Sequence, residues 1–329
     1  MTAPATGTAP PAAWQVRVPA TSANLGPLFD SGGLALTVHD VVEVAPADRL
    51  EVTVAGVGAD SLPCDERHLV VRAFRAACDE LGWQPPGVRL TCRNGIPQGR
   101  GMGSSAAAVV AGVVAAWTLC PDVDERDDAA VLRLATELEG HPDNVAPCLL
   151  GGVTVAWQGA GGVSAERLAV RDDVAPVLLV PPATLSTELA RGLLPAAVPH
   201  TDAAFTAGRA ALLVHALTTD PALLFAATDE RLHQAQRADA MPASAALLAR
   251  LRGAGFAAVV SGAGPSLLVL TRRAAGDGSS DVPAELSALV GTELAAGWQL
   301  LAPGIDRDGA SVSPVDRALG SPRVAEHHR

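Results

Sequence analysis

Ile96-Pro97-Gln98-Gly99-Arg100-Gly101-Met102-Gly103-Ser104-Ser105-Ala106-Ala107 is the stretch on which the reading of this chain turns. Three glycines alternate, two serines follow, and an almost wholly apolar run continues to Thr118. Glycine lets the backbone take positive φ and approach a ligand closely. Successive N–H groups can then converge as a nest for anionic oxygens, and a helix N-terminus adds unpaired N–H groups and a positive dipole end. A plain glycine turn with Ser104 as an ordinary N-cap stands as the alternative. A dinucleotide fingerprint fails, because Ser104 occupies the position of its third glycine. A serine-hydrolase elbow fails too, since neither serine sits in G-x-S-x-G.

The rest of the chain narrows what this loop can hold. There is no lysine among the 329 residues; all 24 basic residues are arginine. That removes a Walker-type phosphate-loop lysine, a protein-kinase strand lysine and a Schiff-base lysine. A loop of this kind must therefore hold phosphate by backbone donors, hydroxyls and a metal ion. The net charge of −11 argues against nucleic acid as a partner. Hydrophobic residues make up 49% but aromatics only 3%, so the core is built from Ala, Val and Leu. Cys64, Cys78, Cys92, Cys120 and Cys148 form no C-x-x-C pair, which predicts free thiols in a reducing cytoplasm. The N-terminal stretch MTAPATGTAPPAA lacks a basic start and an apolar run, so no secretory leader is expected. The apolar run Ala106 to Leu119 is too short to span a bilayer.

Around the loop, Val-rich strand patterns alternate with Ala-rich helical ones. Strands are expected at residues 15–18, 41–44, 50–55, 88–92 and 152–157. Helices are expected at 68–81, 104–118 and 129–139. A second half begins near Val174, with strands at 177–180, 257–261, 266–270 and 299–301. Its helices are expected at 187–193, 203–217, 221–226, 244–252 and 284–295. This order suggests two α+β layers rather than one doubly wound sheet. The ends, 1–12 and 308–329, read as a disordered tail and a C-terminal tail.

Three further segments accompany the loop in order. They are Pro19-Ala20-Thr21-Ser22-Ala23-Asn24-Leu25-Gly26-Pro27 leading to Phe29-Asp30, Glu139-Gly140-His141-Pro142-Asp143-Asn144-Val145-Ala146-Pro147, and Ser261-Gly262-Ala263-Gly264-Pro265-Ser266. Together the four resemble the GHMP kinase superfamily, and within it the branch that phosphorylates L-homoserine, from about Val16 to Gly309. The resemblance implies an N-terminal ribosomal-S5-like α/β domain over 13–172 that binds nucleotide. It implies a C-terminal ferredoxin-like domain over 173–307, with the acceptor between the two. It implies transfer of the ATP γ-phosphate to the side-chain hydroxyl of L-homoserine, giving O-phospho-L-homoserine in threonine biosynthesis. A cytoplasmic enzyme, a possible homodimer, and no nucleic-acid or membrane partner go with it. A GHMP kinase with another small hydroxyl acceptor, and a weakened member that only binds nucleotide, remain as alternatives.

Residue roles follow from the same resemblance. Pro97 to Ala107, that is Pro97, Gln98, Gly99, Arg100, Gly101, Met102, Gly103, Ser104, Ser105, Ala106 and Ala107, resemble the ATP phosphate loop. Ser105 and Glu137 resemble the ligands of Mg²⁺, a hard cation that takes oxygen donors, with Glu139 as a substitute for Glu137. Asn24, Asp30, His141 and Asp143 resemble acceptor-site residues, Asp30 suiting an ammonium. Asn144, with Asp30, is the catalytic candidate; Asn144 stands where other members place an aspartate, and an amide cannot take a proton. Thr187, Arg191 and Arg237 complete the acceptor site, the arginines as a carboxylate clamp. Leu28 departs from the family's usual glycine and predicts strain of about 1–2 kcal/mol if that position needs positive φ.

Overall fold

The structure, a computed structural model, describes residues 13–273 and 282–315. The tail expected over 1–12 lies outside the described residues. The first layer is a seven-stranded sheet built on β1 (Trp14–Ala23) and the long β2 (Gly32–Ala47). β2 pairs antiparallel with β1 along one edge. On the other it pairs first with β5 (Val153–Gly159), then with β4 (Gly87–Asn94). β3 (Glu51–Gly56) closes that side parallel to β4, and β6 (Gly162–Leu168) pairs with β5.

Four helices cover this sheet: α1 (Leu69–Glu80), α2 (Ser104–Leu119), α3 (Asp128–Glu139) and α4 (Pro142–Leu150). α2 is apolar on every face and is buried accordingly, with Val109, Val110, Val113 and Val114 all enclosed. Each such side chain contributes roughly 1.5–3 kcal/mol relative to leaving it in water. Gly112 is what lets α1 lie against it, since a Cβ there would sit 2.4 Å from the Val70 carbonyl oxygen.

The second layer is a four-stranded antiparallel sheet of β7 (Val174–Val180), β8 (Ala257–Val260), β9 (Leu267–Arg272) and β10 (Gln299–Leu301), in the order β10-β7-β9-β8. It is accompanied by α5 (Thr187–Gly192), α6 (His200–Thr218), α7 (Leu224–Ala227) and α8 (Pro242–Gly253). The helix expected over 284–295 is two, α9 (Ala284–Leu289) and α10 (Gly291–Ala295), interrupted at Val290.

Two elements were not expected from the sequence, and one expectation is corrected. The segment after His141 is a helix, α4, although it contains Pro142 and Pro147. β6 is an additional strand, its polar residues turned to solvent at the sheet edge. The chain does not become a tail at 308: Ser311–Pro314 forms β11, paired antiparallel with β1. Ala310 is buried and its N–H donates to the Leu149 carbonyl, so the segment after β10 returns to the first layer.

Candidate active site

The glycine loop enters α2 through three left-handed turns, with φ of 63° at Gly99, 69° at Gly101 and 67° at Gly103. Gly103, not Ser104, is the N-cap. A Cβ on Gly101 would lie 2.1 Å from the Ser261 carbonyl oxygen, and one on Gly103 1.9 Å from Thr21 Oγ1. The loop is thus pressed between β1 and the turn after β8. Ser261 Oγ bonds both the Gly101 carbonyl at 2.6 Å and Ser22 Oγ at 2.8 Å. The fourth sequence segment is therefore a clasp between the two layers.

Two cavities flank the loop and share Ser104 and Ser105. One, of about 170 Å³, lies between the layers. Its walls carry Gly99, Gly101, Met102 and Gly103 from the loop, Glu139, His141, Asp143 and Asn144 from the α3–α4 corner, and Thr187, Arg191 and Arg237 from the second layer. The other, of about 210 Å³, is walled largely by apolar groups of Leu62, Leu69, Val70, Ala107, Ala108 and Ala111. Gln98, Asp40 and His68 also face it. His68 caps α1: its Nδ1 accepts from the Val70 N–H at 3.3 Å. The proton of the neutral ring is then on Nε2, which is buried and has no partner among the described residues. Burial holds the His68 pKa below its ordinary value.

At the α3–α4 corner, Ser105 Oγ donates to Glu139 Oε2 at 2.8 Å. Burial raises the Glu139 pKa, and the Ser105 bond offsets only part of that. Glu137, expected as the metal ligand, is instead exposed and ion-paired with Arg133 at 3.1 Å. Residues two apart on a helix lie on nearly opposite sides, so α3 can offer only one of these carboxylates to the cleft. His141 Nδ1 meets Asp143 Oδ1 at 2.5 Å. Desolvation pulls the His141 pKa down, but the Asp143 carboxylate outweighs it and the net shift is upward. Asn144 Oδ1 accepts from Thr21 Oγ1 at 2.7 Å, and its Nδ2 donates to Asp143 Oδ1 at 3.3 Å.

On the facing wall, Arg191 grips Asp30 with two bonds, 2.7 Å to Oδ1 and 3.1 Å to Oδ2. Asp30, expected as a catalytic group, is therefore occupied by a guanidinium. Arg237 is almost fully buried. Its Nε bonds the Ala190 carbonyl, and its Nη1 bonds the Gly262 carbonyl and His233 Nδ1. Nη2 has no acceptor among the described residues. Asn24 spends both ends of its amide on the protein, donating to the Gly262 carbonyl and accepting from the Asp30 N–H, each at 2.9 Å. It braces the Asp30 turn, itself taking φ 70°.

The structure thus brings Gly99, Gly101, Met102, Gly103, Ser104, Ser105, His141, Asp143, Asn144, Thr187, Arg191, Arg237 and Asn24 to one cleft. Pro97, Arg100 and Ala106 line neither cavity, and the Arg100 guanidinium is bonded to the carbonyls of Pro181, Pro182 and Gln98. Leu28 shows no positive φ and is buried over Gly32, so the expected strain is absent. Thr21 was not singled out by sequence; its only signal is a hydroxyl in a strand segment of small residues, two before Ala23. Among the described residues, no helix is long and apolar enough to cross a membrane.

Comparison with known proteins gives consistent matches. Residues 68–152 match the family model for the GHMP kinases N terminal domain, and residues 210–287 that for GHMP kinases C terminal. The chain is 53% identical over 309 residues to the homoserine kinase of Streptomyces coelicolor, covering 93% of this chain and 96% of that one. It is 50% identical over 315 residues to that of Leifsonia xyli, covering 94% and 92%. The crystal structure of homoserine kinase from Cytophaga hutchinsonii superposes with a TM-score of 0.82 at 25% identity, over 94% of this chain and 100% of that one.

Proposed function

Because the chain belongs to the GHMP kinases, and within them to the homoserine kinases, we propose that its cleft transfers the γ-phosphate of ATP to the side-chain hydroxyl of L-homoserine, giving O-phospho-L-homoserine and ADP in threonine biosynthesis. One observation carries the acceptor assignment. Asp30 and Arg191 present opposite charges side by side, and Nη2 of the buried Arg237 has no acceptor among the described residues. A free α-amino acid offers the complementary pair: an ammonium for Asp30 and a carboxylate for the two guanidinium groups. An acceptor without a carboxylate would leave the buried Arg237 guanidinium short of a partner, which costs about 1–3 kcal/mol.

The nucleotide fits the shared wall. The phosphates lie on the glycine loop and the first turn of α2, and the base enters the apolar cavity beside His68. Ser105 and Glu139 supply an all-oxygen donor set at the mouth of the loop, which suits Mg²⁺ and not a softer metal. Bound there, the ion would neutralise phosphate charge that no lysine is present to meet.

We infer that the transfer needs no protein base at the position of Asn144. Asn144 is an amide and cannot take the acceptor proton, and Asp143 is already bonded to both His141 and Asn144. The acceptor oxygen forms its bond to the γ-phosphorus as the bond to the β-bridging oxygen breaks, and the hydroxyl proton leaves to a phosphate oxygen. Rate then comes from holding the two substrates in line, which can supply roughly 7–11 kcal/mol. A cytoplasmic setting fits the cysteines, all five free and four of them buried. The test is ADP release measured with L-homoserine, mevalonate, shikimate and hexoses. Turnover with another acceptor and none with homoserine would overturn the assignment.

A further inference from the structure

Asn144 occupies the corner of the cleft where the reacting atoms must meet, and an amide placed there is useful only in one of its two orientations. Its neighbours decide which. Asp143 Oδ1 lies 3.3 Å from one end of the amide and is already bonded to His141 Nδ1 at 2.5 Å. A carboxylate repels a carbonyl oxygen, so the NH₂ end faces Asp143 and the oxygen faces Thr21, 2.7 Å away. The single proton of the Thr21 hydroxyl must then go to that oxygen.

Thr21 has little freedom to do anything else. It is fully buried on β1, and its β-branched side chain is stiff. Its own N–H donates to the Met102 carbonyl at 3.1 Å, which ties the strand to the phosphate loop. Gly103 closes over the hydroxyl so tightly that a Cβ would fall 1.9 Å from Oγ1 and 2.9 Å from Asn144 Oδ1. One buried hydroxyl therefore joins the loop that carries the phosphates to the amide at the corner of the cleft.

We infer that Thr21 is a positioning residue for phosphoryl transfer. Its hydroxyl fixes the orientation of the Asn144 amide in register with the glycine loop, leaving the second amide N–H for a substrate oxygen in the cleft. This rests on the reading of the cleft given above, and on Asn144 touching the reacting atoms. Misplacement of such a group costs on the order of 100-fold in rate, with little effect on substrate binding.

The test compares Thr21→Val, Thr21→Ser, Asn144→Ala and the Thr21→Val/Asn144→Ala double variant in the full chain. Turnover, KM for homoserine, ATP affinity by calorimetry and melting temperature are read for each. Thr21→Val should lower kcat about 10- to 100-fold while ATP affinity and melting temperature hold, and Thr21→Ser should restore kcat. The double variant should be no slower than Asn144→Ala, because both changes act through one amide. Full turnover of Asn144→Ala would remove the reading of the cleft and this inference with it. A slow Asn144→Ala beside a fully active Thr21→Val, or effects that multiply in the double variant, would overturn the inference alone. Should Thr21→Val not fold, Thr21→Ala takes its place; parallel losses of kcat, ATP affinity and melting temperature in it would mark Thr21 as structural only.

Discussion

A single carboxylate separates two readings of the metal site. By sequence, Glu137 and Glu139 are near neighbours with the same chemistry, and Glu137 is the resemblance's choice. The helix favours Glu139 for the proposed role, because α3 turns Glu139 to Ser105 and Glu137 to Arg133. Glu139→Gln should lower kcat by at least 100-fold and raise the Mg²⁺ concentration needed for half-maximal rate, by analogy with the loss of a preorganised electrostatic group. Glu137→Gln should change neither. A titration of rate against Mg²⁺ for both variants checks this, and the opposite ranking would return the role to Glu137. His68 gives a second prediction at this scale. His68→Ser keeps an oxygen to cap the Val70 N–H but removes the Nε2–H that faces the apolar cavity. KM for ATP should rise roughly 3- to 10-fold, the worth of one hydrogen bond, with KM for homoserine unchanged. Equal shifts in both constants would show that the cavity does not hold the base. What the sequence conveyed at this scale was residue type and spacing. What it withheld was direction, as with Asn24, whose amide is spent on the protein, and Arg100, whose charge is turned to Pro181 and Pro182.

Among the elements, those with a strong period were legible and those that break local rules were not. The amphipathic α1 and the apolar α2 lie within a residue or two of their expected bounds. α4 was missed because it contains two prolines, but Pro142 sits at its first position, where no N–H is needed. Pro147 fails to bond the Asp143 carbonyl, and that oxygen lies so close to β2 that a Cβ on Gly33 would stand 2.0 Å from it. β6 was missed because its alternation is short and weak: Val163 and Ala165, both only partly buried, alternate with Ser164 and Glu166 next to a run of glycines. The glycine loop was expected to approach a ligand closely, and what its glycines approach in the structure is protein, Ser261 at Gly101 and Thr21 at Gly103. Gly103→Ala tests this. The residue has φ 67°, which costs alanine about 1–2 kcal/mol, and its Cβ would strike Thr21 and Asn144. Both melting temperature and kcat should fall. Gly82→Ala has the same backbone strain at φ 63° with open space around the Cβ, so it should lose comparable stability and keep kcat. If the two variants keep equal turnover, crowding at Gly103 has no bearing on the cleft.

Across the whole molecule, the sequence conveyed two halves in order but not the return of residues 302–315 to the first half. Short, polar and glycine-containing, residues 302–315 lack the periodicity that marks an element, and their partners lie far away in sequence. Asp306 is the centre of that return. Its backbone N–H donates to the Ala35 carbonyl and its own carbonyl accepts from Gly152. Its carboxylate accepts from the N–H groups of Asp308 and Gly309 and meets His39 Nε2 at 2.6 Å. Arg17 Nη2 donates to His39 Nδ1 at 3.1 Å, so the ring proton is on Nε2 and goes to Asp306. Burial alone would raise the Asp306 pKa, but the bonds from His39, Gly309 and Asp308 together outweigh it and hold it below the ordinary value. A carboxylate with a depressed folded pKa contributes stability that is fully present above its unfolded pKa of about 3.9 and is lost as pH falls through the folded value. Asp306→Asn should therefore destabilise the protein by about 1.5–3 kcal/mol near pH 7, the worth of hydrogen bonds to a charged group. The gap between wild type and variant should persist down to about pH 4 and close below it. Denaturant unfolding across that range measures the gap directly. A gap that is absent at pH 7, or that widens on acidification, would mean that the returning segment is held by its backbone and β11 rather than by this carboxylate.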